Sequence, residues 1–197
     1  MSESVPRSAP LLNIANVLTA LRIVMVPFFI WFMAAGGADH GLFRWLAVGV
    51  FAAAIYTDKL DGDLARSRGL ITNFGKIADP IADKLLIGSA LVLLSALGEL
   101  PWWVTVVILV RELGITLLRF VVIRYGVMPA SRGGKLKTVL QTLAIFLYLM
   151  PVGSWLAGAA AGYAAVAFAV MMVAVLVTVV TGADYVAKAW RLRAAGR

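Results

Sequence analysis

Five of the ten acidic residues of this chain fall between positions 58 and 83: Asp58, Asp61, Asp63, Asp79 and Asp83. They border long apolar runs, and an Asp at the centre of a membrane helix costs about 2.5–3.5 kcal/mol on the insertion scale, so acids in such places usually line a polar cavity and carry function. Asp58 and Asp61 are i, i+3, and Asp79 and Asp83 are i, i+4, so in helices each pair shares a face. A connection containing Gly69 and Gly75 lets the two faces turn toward one another. Four facing carboxylates repel unless cations sit between them. An all-oxygen donor set without His or Cys suits hard ions, Mg²⁺ or Mn²⁺. Two such ions about 3.5–4 Å apart form a device for cleaving a phosphoanhydride or phosphodiester. The same acids also suit a proton or cation relay in a transporter.

The residues between the pairs favour the first chemistry. Gly62 and Ala65 are small and three apart, which lets a bulky group approach the backbone. Arg66 follows directly, and its planar fork can grip a diphosphate. A snorkelling interfacial arginine would account for Arg66 taken singly. It does not account for the metal-binding acids, the small floor and the arginine together, which describe a nucleotide-diphosphate pocket that a cation transporter does not need.

The elements that position these residues are apolar. Hydrophobic residues make up 62% of the 197, charged residues 14%, and mean hydropathy is +0.93. An ordinary globular domain is roughly 45–50% apolar and about 25% charged, and a small soluble fold cannot hide the excess. The chain therefore reads as an all-α integral membrane protein. A span needs about 20 apolar residues, and six candidates appear: 17–35 (interrupted by Arg22), 45–57, 77–97, 102–123, 138–152 and 161–180. The second is short and is expected to continue into the polar segment past Thr57. Loops are expected at Gly36-Gly37, 97–101, 126–134 and 151–153. Residues 1–10 lack the basic start of a signal peptide, so the first helix is read as uncleaved.

The chain has 18 Lys+Arg against 10 Asp+Glu, a net charge of +8. In a soluble protein this would suggest nucleic acid. Here Lys59, Arg66, Arg68 and Lys76 follow the second span, Arg124, Arg132, Lys135 and Lys137 follow the fourth, and Lys188, Arg191, Arg193 and Arg197 close the chain, whereas the alternate loops carry at most Arg44. The positive-inside rule then puts both termini in the cytoplasm, with no nucleic-acid partner required. The layout is a single membrane domain over 1–197: an N-terminal segment with a short interfacial helix in 1–15, a six-helix bundle in 16–190 and a basic tail in 191–197. No cysteine is present, which excludes disulfides and thiol chemistry. The one histidine, His40, sits in a Gly-rich stretch and reads as a solvated loop residue. Trp31, Trp45, Trp102, Trp103, Trp155 and Trp190 lie near span ends, as an interface belt requires.

The run from Asp58 to Asp83 resembles the signature of the CDP-alcohol phosphotransferase family, D-x2-D-G-x2-A-R-x8-G-x3-D-x3-D, with all fixed positions present at the right gaps. A chance match is on the order of one in a hundred million at uniform residue frequencies. The resemblance implies the family's six-helix fold, a plasma-membrane location with the active site facing the cytoplasm, homodimers, two Mg²⁺ or Mn²⁺ ions per site and CDP-diacylglycerol as donor. By it, Asp58, Asp61 and Asp79 hold the ions, and Asp83 contacts one ion and serves as catalytic base. Gly62, Ala65, Arg66 and Gly75 form the CDP pocket, joined by Thr72 and by Asn16 and Thr19 at the entry to the first span. Lys59 and Asp63 stand where the family's pattern suggests aromatic residues, a departure that touches lipid-side packing.

Acceptor choice must come from elsewhere. The second half holds a polar run: Arg111-Glu112, Arg119, residues 130–138, then Gln141. Arg111 and Arg119 lie about two turns apart, on one helix face. Glu112 is a candidate buried partner for one of them, and Lys135, Thr138 and Gln141 are expected on one inward face. Cations converging there suit an anionic acceptor, although Arg124, Arg132 and Lys137 also fit plain positive-inside residues. This half resembles the phosphatidylglycerophosphate synthase branch of the family, which implies sn-glycerol 3-phosphate as acceptor and Arg111, Arg119, Lys135 and Lys137 as the residues that grip its phosphate. Cardiolipin synthases share a similar Gly-Lys…Thr…Gln segment. Cardiolipin synthase or phosphatidylinositol phosphate synthase activity, and outside the family a cation or proton transporter, are the alternatives.

Overall fold

A computed structural model describes residues 13–36, 41–68, 72–122, 132–152 and 157–195. Among these residues the protein is helical throughout, with α1 (Ile14–Gly36), α2 (Leu42–Arg68), α3 (Asn73–Ala96), α4 (Trp102–Val122), α5 (Arg132–Leu149) and α6 (Ala160–Ala195), the last preceded by a 3-10 turn at Ala157–Ala159. Among the described residues two helices are long and apolar enough to cross a membrane by hydropathy, over Asn16–Gly36 and Ala160–Arg191. The chain divides into two compact units, Met1–Ala90 and Leu91–Arg197.

In the first unit α1 packs on α2. The buried stripe of α1 runs Asn16, Thr19, Arg22, Val26, Phe29, Met33, and that of α2 runs Ala47, Phe51, Ala54 and on to Asp61. These are helical spacings of three and four, so each stripe is one face. The apolar halves meet as a close packing of aromatics against small residues, with Phe29 and Phe51 rings 5.8 Å apart. Ala47 and Ala54 let the backbones approach. The polar half of the α1 stripe continues the same face, so the packing that joins the helices also carries Thr19 and Arg22 to the acids of α2. On the opposite side α1 exposes Val17, Leu21, Val24, Phe28, Ile30 and Trp31. Polar side chains inside and large apolar ones outside is the distribution expected in lipid rather than water.

α2 continues unbroken through the polar segment past Thr57, as expected. α3 starts at Asn73, four residues before the apolar run, because Thr72 caps it: the Thr72 hydroxyl accepts the Gly75 amide at 3.0 Å. Asn13 caps α1 in the same way, accepting the Asn16 amide at 2.9 Å.

In the second unit the chain turns from the end of α3 into α4 through a Schellman motif. The Gly98 amide donates to the Ser95 carbonyl and the Glu99 amide to the Leu94 carbonyl, with Gly98 at φ +76°, where a side chain would be strained. Thr105 ties α4 back to that end of α3, paired with Ser95 at 2.7 Å and donating to the Leu91 carbonyl. α6 packs on both α4 and α5.

Three boundaries differ from the sequence expectation. α5 begins at Arg132, so Gly133 and Gly134 belong to its first turn and not to a loop. α6 runs to Ala195, so most of the expected basic tail is helix. α1 begins at Ile14, and the rest of the expected interfacial helix lies outside the described residues, as do residues 123–131 and 153–156, where parts of two loops are expected.

Candidate active site

The first unit gathers the signature acids around two side chains of α1. Thr19 Oγ1 donates to Asp79 Oδ1 at 2.6 Å and stands 3.5 Å from Asp61 Oδ2. One turn further along α1, Arg22 Nη1 is 2.7 Å from Asp58 Oδ1, and Arg22 Nη2 pairs with Asp61 Oδ2. Asp61 and Arg22 are buried, and Asp58 is half-exposed. Two helices that carry acids are thus pinned to a third that carries a hydroxyl and a guanidinium. Asp83, one turn beyond Asp79, is partly buried on the same helix.

Gly75 forms a cradle beside Asp79. A Cβ there would come within 3.2 Å of Asn16 Oδ1, 3.4 Å of Thr72 Oγ1 and 3.7 Å of Asp79 Oδ2. Thr72 donates to Asn16 Oδ1 at 2.7 Å, so Asn16, Thr72 and Gly75 form one polar group, and the cap of α3 is also its link to α1. Gly62 lies next to Asp61 on α2. Ala65 and Arg66 are helical in α2, but their side chains lie outside the described ones.

Among the described residues no three His, Cys, Asp or Glu side chains stand together as a ready coordination group. The set still suits a hard ion: carboxylates from α2 and α3 converge on one hydroxyl, all oxygen, with no soft donor among them. Arg22 places a positive charge against both Asp58 and Asp61. Sequence reasoning missed this role and recorded Arg22 only as an interruption of an apolar run. The available signal was the cost of a buried arginine at that depth, together with its i+3 offset from Thr19.

The second unit holds a separate cluster. Glu112 Oε1 accepts from Arg111 Nη1 at 3.1 Å and from Lys137 Nζ. Arg111 Nη2 donates to Thr181 Oγ1 at 3.3 Å. Arg111 lies flat on α6, where a Cβ on Gly182 would meet its Cγ at 3.1 Å. Glu112 therefore serves two cations rather than the single partner expected. The inward residues of α5 are Lys137 and Gln141, while Lys135 and Thr138 are exposed, contrary to the expected inward trio. The buried face of α5 runs 137, 141, 144, 145 and 149, and Lys135, two residues from Lys137, is turned by about 200°. Arg119 is exposed near the end of α4.

A family model for CDP-alcohol phosphatidyltransferase matches residues 12–180. The chain belongs to the CDP-alcohol phosphatidyltransferase family. Within it, a Mycobacterium tuberculosis protein named "Probable phosphatidylglycerophosphate synthase" is 55% identical over 93% of this chain and 84% of its own length. The Bacillus subtilis "CDP-diacylglycerol--glycerol-3-phosphate 3-phosphatidyltransferase" is 36% identical over 90% of this chain and 95% of its own. A Streptomyces coelicolor "Cardiolipin synthase (CMP-forming)" is 36% identical over 76% of this chain and 71% of its own.

Proposed function

We propose that the protein transfers the phosphatidyl group of CDP-diacylglycerol to sn-glycerol 3-phosphate, giving phosphatidylglycerophosphate and CMP. The observation that carries this reading is the gathering of Asp58, Asp61 and Asp79 on Thr19 and Arg22 of α1, at the positions of the family signature. The choice of acceptor is supported by the names of the relatives that cover most of the chain.

A hydroxyl of glycerol 3-phosphate attacks the β-phosphorus, which carries the lipid. A P–O bond forms to that hydroxyl oxygen, the bond to the bridging oxygen breaks, and CMP leaves with the electron pair. Asp83 accepts the hydroxyl proton, a role that needs a carboxylate within hydrogen-bond reach. Asp58, Asp61, Asp79 and Asp83 would hold two Mg²⁺ or Mn²⁺ ions, which when bound neutralise charge on the diphosphate and the leaving group. Gly62, Ala65 and Gly75 give the diphosphate room, and Arg66 grips it. Asn16, Thr19 and Thr72 fix the nucleotide side, where their hydrogen bonds already hold α1 to α3. Arg111 and Lys137, gathered on Glu112, take the acceptor phosphate, with Arg119 and Lys135 adding positive charge.

The lipid tails stay in the bilayer while the head group is handled at its edge. We read all six helices as spans of a single domain in the plasma membrane, with both termini and the site on the cytoplasmic side and a homodimer as the working unit. The basic residues after the second and fourth spans support that orientation, and the outward apolar face of α1 supports a lipid environment.

The test is CMP release by purified protein given CDP-diacylglycerol, Mg²⁺ and one alcohol at a time. Release with glycerol 3-phosphate alone is expected. Release only with phosphatidylglycerol would favour the cardiolipin synthase reading, to which the Streptomyces relative points. Release only with an inositol phosphate would favour the third family reading, and no release with any alcohol would sink all three.

A further inference from the structure

We propose that Arg22 is a built-in counter-cation of the acid cluster, a positioning residue whose fixed charge holds Asp58 and Asp61 in place and sets how tightly the cluster takes a divalent ion. The inference rests on the reading of those acids as cation ligands. Arg22 is 1% exposed and lies within the first apolar run, where an unpaired guanidinium would be strongly destabilising. Its two terminal nitrogens are divided between two carboxylates one turn apart on α2. A planar fork can span that spacing and a single ammonium cannot do so equally. Among the described residues Arg22 Nε and Nη1 have no hydrogen-bond partner, so the contacts that orient this side chain are the ion pair of Nη1 with Asp58 and the pairing of Nη2 with Asp61. Together with Thr19, one turn away on the same face, Arg22 lets α1 grip three of the four signature acids.

This arrangement has a thermodynamic consequence. Arg22 and a divalent ion draw on the same carboxylate charge. Without Arg22, Asp58 and Asp61 repel each other in the cation-free protein, whereas a bound ion can replace the lost charge. Removing Arg22 therefore harms the cation-free state more than the cation-bound state, and linkage requires that the ion then bind more tightly.

The experiment is Mn²⁺ titration by the loss of the free-ion EPR signal, with thermal unfolding in detergent measured in chelator and in saturating Mn²⁺, on the full chain. Arg22→Met should bind Mn²⁺ about tenfold more tightly than wild type, on the scale of one removed charge a few ångströms away. It should also lose stability in chelator and recover most of it with Mn²⁺. Arg22→Lys, which keeps the charge, should stay within about threefold of wild-type affinity. An equal loss of stability with and without Mn²⁺, or unchanged or weaker affinity in Arg22→Met, would overturn the proposal. If Arg22→Met does not yield folded protein, Arg22→Lys carries the test alone: it should be less stable than wild type in chelator and close to it in Mn²⁺, and the same deficit in both overturns the idea. Absence of Mn²⁺ binding by wild type also overturns it, while the acceptor reading is judged separately by CMP release.

Discussion

The Thr19 hydroxyl donates to Asp79 at 2.6 Å, so a side chain of α1 directly fixes an acid of α3. That hydroxyl has one proton, and it is committed to Asp79 while Asp61 stands at 3.5 Å. Thr19→Val removes the bond and keeps the shape. The expected result is a fall in kcat/KM of about ten- to a hundredfold, equivalent to ~1.4–2.8 kcal/mol of transition-state stabilisation, with Thr19→Ser within about threefold of wild type. Steady-state kinetics on both variants checks this, and equal losses in the two would show that packing, not the hydroxyl, matters.

Gly75→Ala sets two effects of opposite sign against each other. In an ordinary helix the change stabilises by about 1 kcal/mol. Here the new methyl would press on Asn16 Oδ1 at 3.2 Å and Thr72 Oγ1 at 3.4 Å, two groups already bonded to each other. The expected outcome is a KM for CDP-diacylglycerol raised about tenfold or more, with KM for the acceptor unchanged. A variant that is simply more stable and equally active would show that the cradle is not part of the donor site.

Asp83→Asn keeps size and removes the proposed proton acceptor. General-base assistance contributes typically 10²–10⁴-fold, so kcat should fall by about 10² or more while CDP-diacylglycerol still binds. Retained turnover would remove Asp83 from the base role.

Glu112→Gln leaves Arg111 and Lys137 without their shared carboxylate. KM for glycerol 3-phosphate should rise about tenfold, with KM for CDP-diacylglycerol within twofold, because the proposed function assigns the disturbed residues to the acceptor alone. A matching rise in both constants would show that the cluster is a packing feature of α4 and α5.

Much of this site was legible in the sequence because spacing is a geometric statement. Asp58 and Asp61 share a face once α2 is helical, and the continuation of α2 past Thr57 followed from the shortness of its apolar run. Local rules also anticipated the turn before Pro101, where Gly98 takes the left-handed conformation. Residues whose meaning comes from a partner far along the chain were less legible. Arg22 reads as a flaw in an apolar run until Asp58 and Asp61 are brought to it. Lys137 reads equally as a phosphate-gripping residue and as a positive-inside one, and Lys135 as an inward one, until the buried face of α5 fixes the register. Thr72 enters the sequence reading only as a nucleotide-side contact implied by the resemblance, and its bond to Asn16 depends on how α1 lies against α3.

The most direct test of the central claim is the fate of labelled glycerol 3-phosphate. Purified protein, CDP-diacylglycerol, Mg²⁺ and isotopically labelled sn-glycerol 3-phosphate should yield a lipid bearing the label, with the mass of phosphatidylglycerophosphate, and one CMP for each lipid formed. The Asp79→Ala protein should form none and should also lose Mn²⁺ binding. CMP released without labelled lipid, or full activity in Asp79→Ala, would contradict the account.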